Sequence, residues 1–185
     1  MDLKKLFEMQ RVLDKRINDE KGLRYTKPPA WKRVALLTEI GELANEWRGF
    51  KKWSHDQIPR NWCELCQLTE MPHKCSVPLL EEYVDGLSFI LSIGIDLGSE
   101  DYAPTYSSIG VSFGEDDELT IQFEEVYRYA SSFNTFPVND KKTWYSFVFD
   151  NYLGLGQMLG LEWPEIEKAY FQKNAENHQR QAEGY

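Results

Sequence analysis

The chain has 185 residues, 42% hydrophobic and 28% charged, with a formal net charge of −9. That suits one domain with its own core and is too short for two large ones. The acidic balance argues against a nucleic-acid polymer as partner, since affinity for a phosphate backbone comes from Lys and Arg, although an acidic surface still takes a polyanion when metal ions intervene.

Leu3, Leu6, Leu13 and Ile17 fall on one stripe and predict an amphipathic helix over residues 2–18. Gln10 stands in that stripe where an apolar residue is expected, and Asp14 follows one turn on. A buried amide needs partners. Its donor and acceptor match the imide edge of a pyrimidine such as uracil, while a Gln satisfied within the core is the commoner use of such a residue. "TKPPAWKR" then breaks the pattern, and its prolines suit the start of a second helix running from about 29 to 50.

Residues 54–76 are polar and contain Pro and Cys, and are read as a loop or small insertion. Pro78 opens a third helix reaching about Gly98, and 99–116 is a loop. Helices follow near 117–133 and 140–159; Gly160 is a C-terminal stop, and Pro164 suits the first turn of a last helix to about 181. With no strand ladder, internal repeat or low-complexity tract, the expected architecture is an all-α bundle of about six helices, a single domain over 1–185. The N-terminus "MDLKKLFEMQ" is amphipathic and charged, unlike a secretory leader, and the longest apolar stretch, near 87–95, is too short to span a bilayer. A cytoplasmic protein with no membrane partner is expected.

The second helix carries "EIGELANEW". Leu36, Ile40, Leu43, Trp47 and Phe50 form its apolar stripe, and Glu39, Glu42 and Glu46 line the edge of that stripe instead of the opposite face. In "LLEEYVDGLSFILSIGIDLG", Glu82 and Asp85 repeat the i, i+3 spacing, and Asp85 is the only charge between Tyr83 and Ile95. An ionised carboxylate in so apolar a helix needs a partner. Two such helices facing each other make a four-carboxylate cage suited to magnesium or manganese, with waters and substrate phosphates completing the coordination. The alternative is neutralisation by Arg48 or Lys51. In the last helix, Ile166, Tyr170, Lys173, Asn177 and Arg180 step by four, three, four and three. Lys173 and Arg180 suit phosphate oxygens, and Asn174 and Asn177 suit phosphate or sugar. A solvated C-terminal helix with basic last turns remains the alternative.

Three segments, "EIGELANEWRGFKKW", "LEEYVDGLSFILSIGIDLG" and "YLGLGQMLGLEWPEIEKAYFQKNAENHQRQAEGY", together resemble the all-α dimeric dUTPases, within the MazG-like superfamily of all-α nucleoside triphosphate pyrophosphatases. The resemblance is close over 1–53, 77–98 and 141–185, and general in character over 99–140. It implies that Glu39, Glu42, Glu82 and Asp85 bind magnesium, with Glu39 or Glu42 also orienting or deprotonating the attacking water. It implies that Gln10 contacts uracil, that Phe50 and Trp53 of "FKKW" are base-pocket aromatics, and that Lys173, Asn174, Asn177 and Arg180 hold phosphate and nucleotide. The second polar position of the uracil motif, often an amide, is Asp14 here, and Glu46 is not a fixed family position. The implied activity is hydrolysis of dUTP, and by extension dUDP, in a homodimer, with manganese a substitute for magnesium. A sister pyrophosphatase acting on dCTP or a modified nucleotide, or a fold-retaining regulatory interaction protein, are the competing readings.

"NWCELCQLTEMPHKC" departs from that family. Its C-x2-C-x6-H-x-C spacing through Cys63, Cys66, His73 and Cys75 fits a structural zinc knuckle, with His55 a substitute ligand. Reduced thiols beside a surface His are the alternative.

Overall fold

The structure, a computed structural model, describes residues 2–68, 76–108, 117–137 and 140–184. Among these residues the chain is all-helical: α1 (Leu3–Lys21), α2 (Ala30–Trp47), α3 (Glu64–Leu68), α4 (Pro78–Leu97), α5 (Glu118–Ser131), a 3-10 turn (Ser132–Thr135), α6 (Lys141–Met158) and α7 (Trp163–Ala182). The expected bundle is present. The short α3 inside the Cys-containing segment and the 3-10 turn are additions to the predicted elements.

The boundaries follow local chemistry. Asp2 caps α1 by accepting from the Lys5 N–H at 3.2 Å, which satisfies one of the orphan donors of a helix start. Pro78 stands in the first turn of α4, where its missing N–H costs nothing. The second helix stops at Trp47, three residues short of the expected end, because Arg48 turns left-handed at φ 65°. Gly49 follows, and a Cβ there would lie 2.4 Å from the Trp47 ring.

α4 is a central element, with Leu79, Tyr83, Val84, Leu87, Ile90, Leu91 and Ile93 all buried. It packs against α1, α2, α6 and α7, while α5 closes the bundle against α2 and α6. Two glycines set the spacing between α4 and α6. Tyr152 donates its hydroxyl to the Tyr83 carbonyl at 2.8 Å, and Tyr83 donates to the Tyr152 carbonyl at 3.3 Å. Their rings stack with centroids 4.7 Å apart. A Cβ on Gly86 would sit 2.2 Å from the Tyr152 hydroxyl, and one on Gly156 2.3 Å from that of Tyr83. This reciprocal clasp fixes the segment of α4 that carries Glu82 and Asp85.

The Cys-containing segment hangs from a closed base. The Arg60 N–H donates to the Glu46 carbonyl at 2.9 Å, and the Arg60 carbonyl accepts from the Leu79 N–H at 3.1 Å. One residue thereby joins the last turn of α2 to the first turn of α4, and supplies an acceptor for a helix-start donor that has none within its own helix.

Candidate active site

The side-by-side packing of α2 and α4 brings one carboxylate oxygen each from Glu39, Glu42 and Glu82 to within 4.8 Å of one another. Glu39 and Glu82 are half-buried and Glu42 is exposed. The neutralising cations that the sequence offered are occupied elsewhere: Arg48 pairs with Asp56 at 2.9 Å, and Lys51 lies over the Phe50 ring. Glu46 leaves the cluster and faces Arg60 at 3.6 Å. The fourth acid, Asp85, is held by Lys173 of α7, whose Nζ donates to its Oδ2 at 2.5 Å.

Crowding of like charges has its expected effect. Burial, then the charges of Asp85 and Glu42, push the Glu39 pKa to about 7, with Lys173 opposing. Burial and the charges of Asp85, Glu42 and Glu39 do the same to Glu82, also to about 7. Burial raises Asp85 as well, against the pull of Lys173. Half-buried carboxylates this close repel unless a cation shares their oxygens. The donor set, all hard oxygen, fits a divalent cation of the magnesium or manganese kind.

Beside the acids opens a cavity of about 340 Å³, within the range of small-molecule sites. Glu39 belongs both to the acid cluster and to its wall. Asp85 of α4, Lys173, Asn177 and Arg180 of α7, and Gln10 and Asp14 of α1 also line it. Tyr25, Trp31 and Phe89 supply ring surface. The sequence reading missed these three; Tyr25 precedes the Pro-rich breaker and Trp31 stands in the first turn of α2, where no periodicity marks a buried face.

Both polar ends of the Gln10 amide are engaged within the protein. Gln10 is 5% exposed. Its Oε1 accepts from the Tyr170 hydroxyl at 2.8 Å, and its Nε2 donates to Asp14 Oδ1 at 2.8 Å. Asp14 Oδ2 accepts from the Ser92 hydroxyl at 2.5 Å and faces Lys32 Nζ at 3.5 Å. Lys32, 2% exposed, is shared with Asp96 at 2.8 Å. Burial works against its charged form, but Asp14 and Asp96 outweigh that cost and raise its pKa above the ordinary lysine value.

Three expected positions fall outside this arrangement. Phe50 and Trp53 do not line the Gln10 cavity. The left-handed turn at Arg48 swings the chain toward α5, where Phe50 stacks on Trp47 and helps line an apolar groove with Phe123 and Tyr127. Trp53 packs edge-on against Phe50 and is 78% exposed. Asn174 is buried beside the Tyr170 hydroxyl and not on the cavity wall. In the Cys-containing segment, Cys63 is buried and Cys66 exposed; His73 and Cys75 lie outside the described residues. No described helix is long and apolar enough to cross a membrane.

No curated protein matches the chain. A family model described as dUTPase matches residues 2–185.

Proposed function

The chain belongs to the dUTPase family, a nucleoside triphosphate pyrophosphohydrolase converting dUTP to dUMP and pyrophosphate, and from that premise we propose a magnesium-dependent site built on Glu39, Glu42 and Glu82. The observation that carries this reading is that Glu39 belongs at once to the cation-seeking acid cluster and to the wall of the Gln10 cavity. Bound divalent ions would supply charge neutralisation of the triphosphate and a water of lowered pKa. Asp85, beside Lys173, would join the ligand set or steer the lysine. Glu39, which stands at once in the acid cluster and in the cavity wall, would orient the attacking water or accept its proton. Water adds at the α-phosphorus, the bond to the bridging oxygen breaks, and pyrophosphate leaves with that electron pair. Lys173 and Arg180 would hold phosphate oxygens, Asn177 the nucleotide, and Gln10 the imide edge of uracil, with Tyr25, Trp31 and Phe89 excluding water around the base.

Three further assignments go with this reading. A homodimer would bury the exposed Trp53 and the neighbouring apolar groove, checked by light scattering. A cytoplasmic location matches a substrate drawn from the deoxynucleotide pool, where removing dUTP limits uracil in DNA. Zinc in the Cys-containing segment, at one ion per chain, is checked by elemental analysis of protein and of Cys63→Ser.

The experiment that tests the assignment measures pyrophosphate release from a panel of deoxynucleoside triphosphates with and without magnesium. Release from dUTP that needs the metal and drops at least about 100-fold in Glu39→Gln supports it. Activity indifferent to that substitution removes Glu39 from the chemistry.

A further inference from the structure

Asp14 stands in the cavity wall, one turn from Gln10, yet each of its oxygens is already engaged within the protein. A carboxylate only accepts hydrogen bonds, so Gln10 must turn its Nε2 toward Asp14. Turning the amide over would set Oε1 against Asp14 Oδ1 at 2.8 Å, two acceptors face to face, and would lose the Tyr170 hydroxyl as donor to Oε1. The carboxylate is fixed in turn from two further helices. Ser92 of α4 donates to its Oδ2, and the buried Lys32 of α2 offsets its charge. Lys32 is itself braced by Asp96 near the end of α4. The three helices thus converge on the orientation of one side-chain amide.

We propose that Asp14, held by Lys32 and Ser92, is a positioning residue for base choice: it locks the Gln10 amide so that the donor and acceptor left over for a ligand suit the uracil edge and not that of cytosine. This rests on the reading of Gln10 as the group that meets the base. After its bonds to Tyr170 and Asp14, the amide keeps one N–H and one carbonyl lone pair. Uracil offers an acceptor at O4 beside a donor at N3; cytosine offers a donor at N4 beside an acceptor at N3. One amide orientation serves the first pair, and only the flipped amide serves the second. A site built to satisfy one pattern leaves buried polar groups unpaired with the other, which is the strong form of discrimination. Asp14 therefore acts through Gln10 and not on the base.

The test compares kcat/KM for dUTP, dCTP and dTTP in the wild type and in Asp14→Asn, whose side chain can offer Gln10 either a donor or an acceptor. The ratio of dUTP to dCTP is expected to fall by about tenfold or more, while dTTP, which has the same imide edge, keeps its ratio to dUTP within about twofold. A dUTP-to-dCTP ratio equal to that of the wild type, or both ratios falling together, overturns the proposal, because a merely loosened pocket moves all bases alike. Ser92→Ala gives the same reading if Asp14→Asn does not fold: a selective fall in the dUTP-to-dCTP ratio supports the lock, and an unchanged ratio refutes it. Failure of the wild type to prefer dUTP over dCTP would instead refute the placement of Gln10 at the base, which separates the two claims.

Discussion

Lys173 donates to Asp85 across the seam between α7 and α4, at 2.5 Å, and both side chains line the cavity. The lysine lowers the pKa of Glu39, Glu82 and Asp85 alike. It therefore acts on the acids, and its place in the cavity wall is the basis for the proposed contact with the triphosphate.

Lys173→Met removes both services. The expected loss in kcat/KM for dUTP is about 10- to 100-fold, the size of one charge-assisted contact. The pH at which magnesium begins to stabilise the protein should also move upward, since the acids then hold their protons more tightly. Thermal melts with magnesium at stepped pH check this; a midpoint that stays in place would show that Lys173 does not bear on the acids.

Glu82→Gln separates binding from stability. In the presence of a chelator the variant should be more stable than the wild type, because one of the repelling charges is gone. Each kcal/mol of relief would appear as about 2–4 °C in Tm for a chain of this size. The gain in Tm on adding magnesium should shrink in the same variant, and calorimetric titration of magnesium should show weakened affinity.

The pH dependence has a definite sign. Glu39 and Glu82 sit near 7 in the folded chain against an ordinary 4.5, so between these values the folded state holds protons that the unfolded state has released. Stability of the metal-free protein should therefore decline as pH rises from about 4.5 to 7. Metal binding expels the same protons, so stabilisation by magnesium should grow across that window. Melting curves in chelator and in magnesium should diverge with rising pH, and parallel curves would contradict the shared-charge account of the site.

Gly86→Ala tests the clasp between α4 and α6. The new methyl would meet the Tyr152 hydroxyl at 2.2 Å, and that tyrosine is fully buried and bonded to the Tyr83 carbonyl. Overpacking of this kind costs about 1–3 kcal/mol, read as a lower midpoint in urea. The adjacent Glu82 and Asp85 should shift with the helix, so kcat should fall as well.

The fold was legible because each long helix announced itself by period and punctuation. Pro78 and Gly98 bracket α4, and the apolar run between them requires a central position. The gathering of Glu39, Glu42 and Glu82 was legible for the same reason, since they border apolar stripes, whereas the pairing of Asp85 with Lys173 was not. Lys32 was legible in principle and missed. It continues the stripe of Leu36, Ile40, Leu43 and Trp47 one turn upstream, and a cation on a buried stripe implies a carboxylate to meet it. The destination of Phe50 and Trp53 was not legible. It depends on Arg48 adopting a left-handed backbone, which Asn and Gly announce and arginine does not.

Arg60 gives the molecule a seam at which sequence can be exchanged. It latches Glu46 to Leu79 through its own peptide groups, so the chain on either side of the segment from 61 to 77 is joined at its base. Changes of length or sequence within that segment are therefore expected to leave the mutual placement of the acids on either side intact. The same latch makes it a natural place to graft a foreign peptide or a reporter.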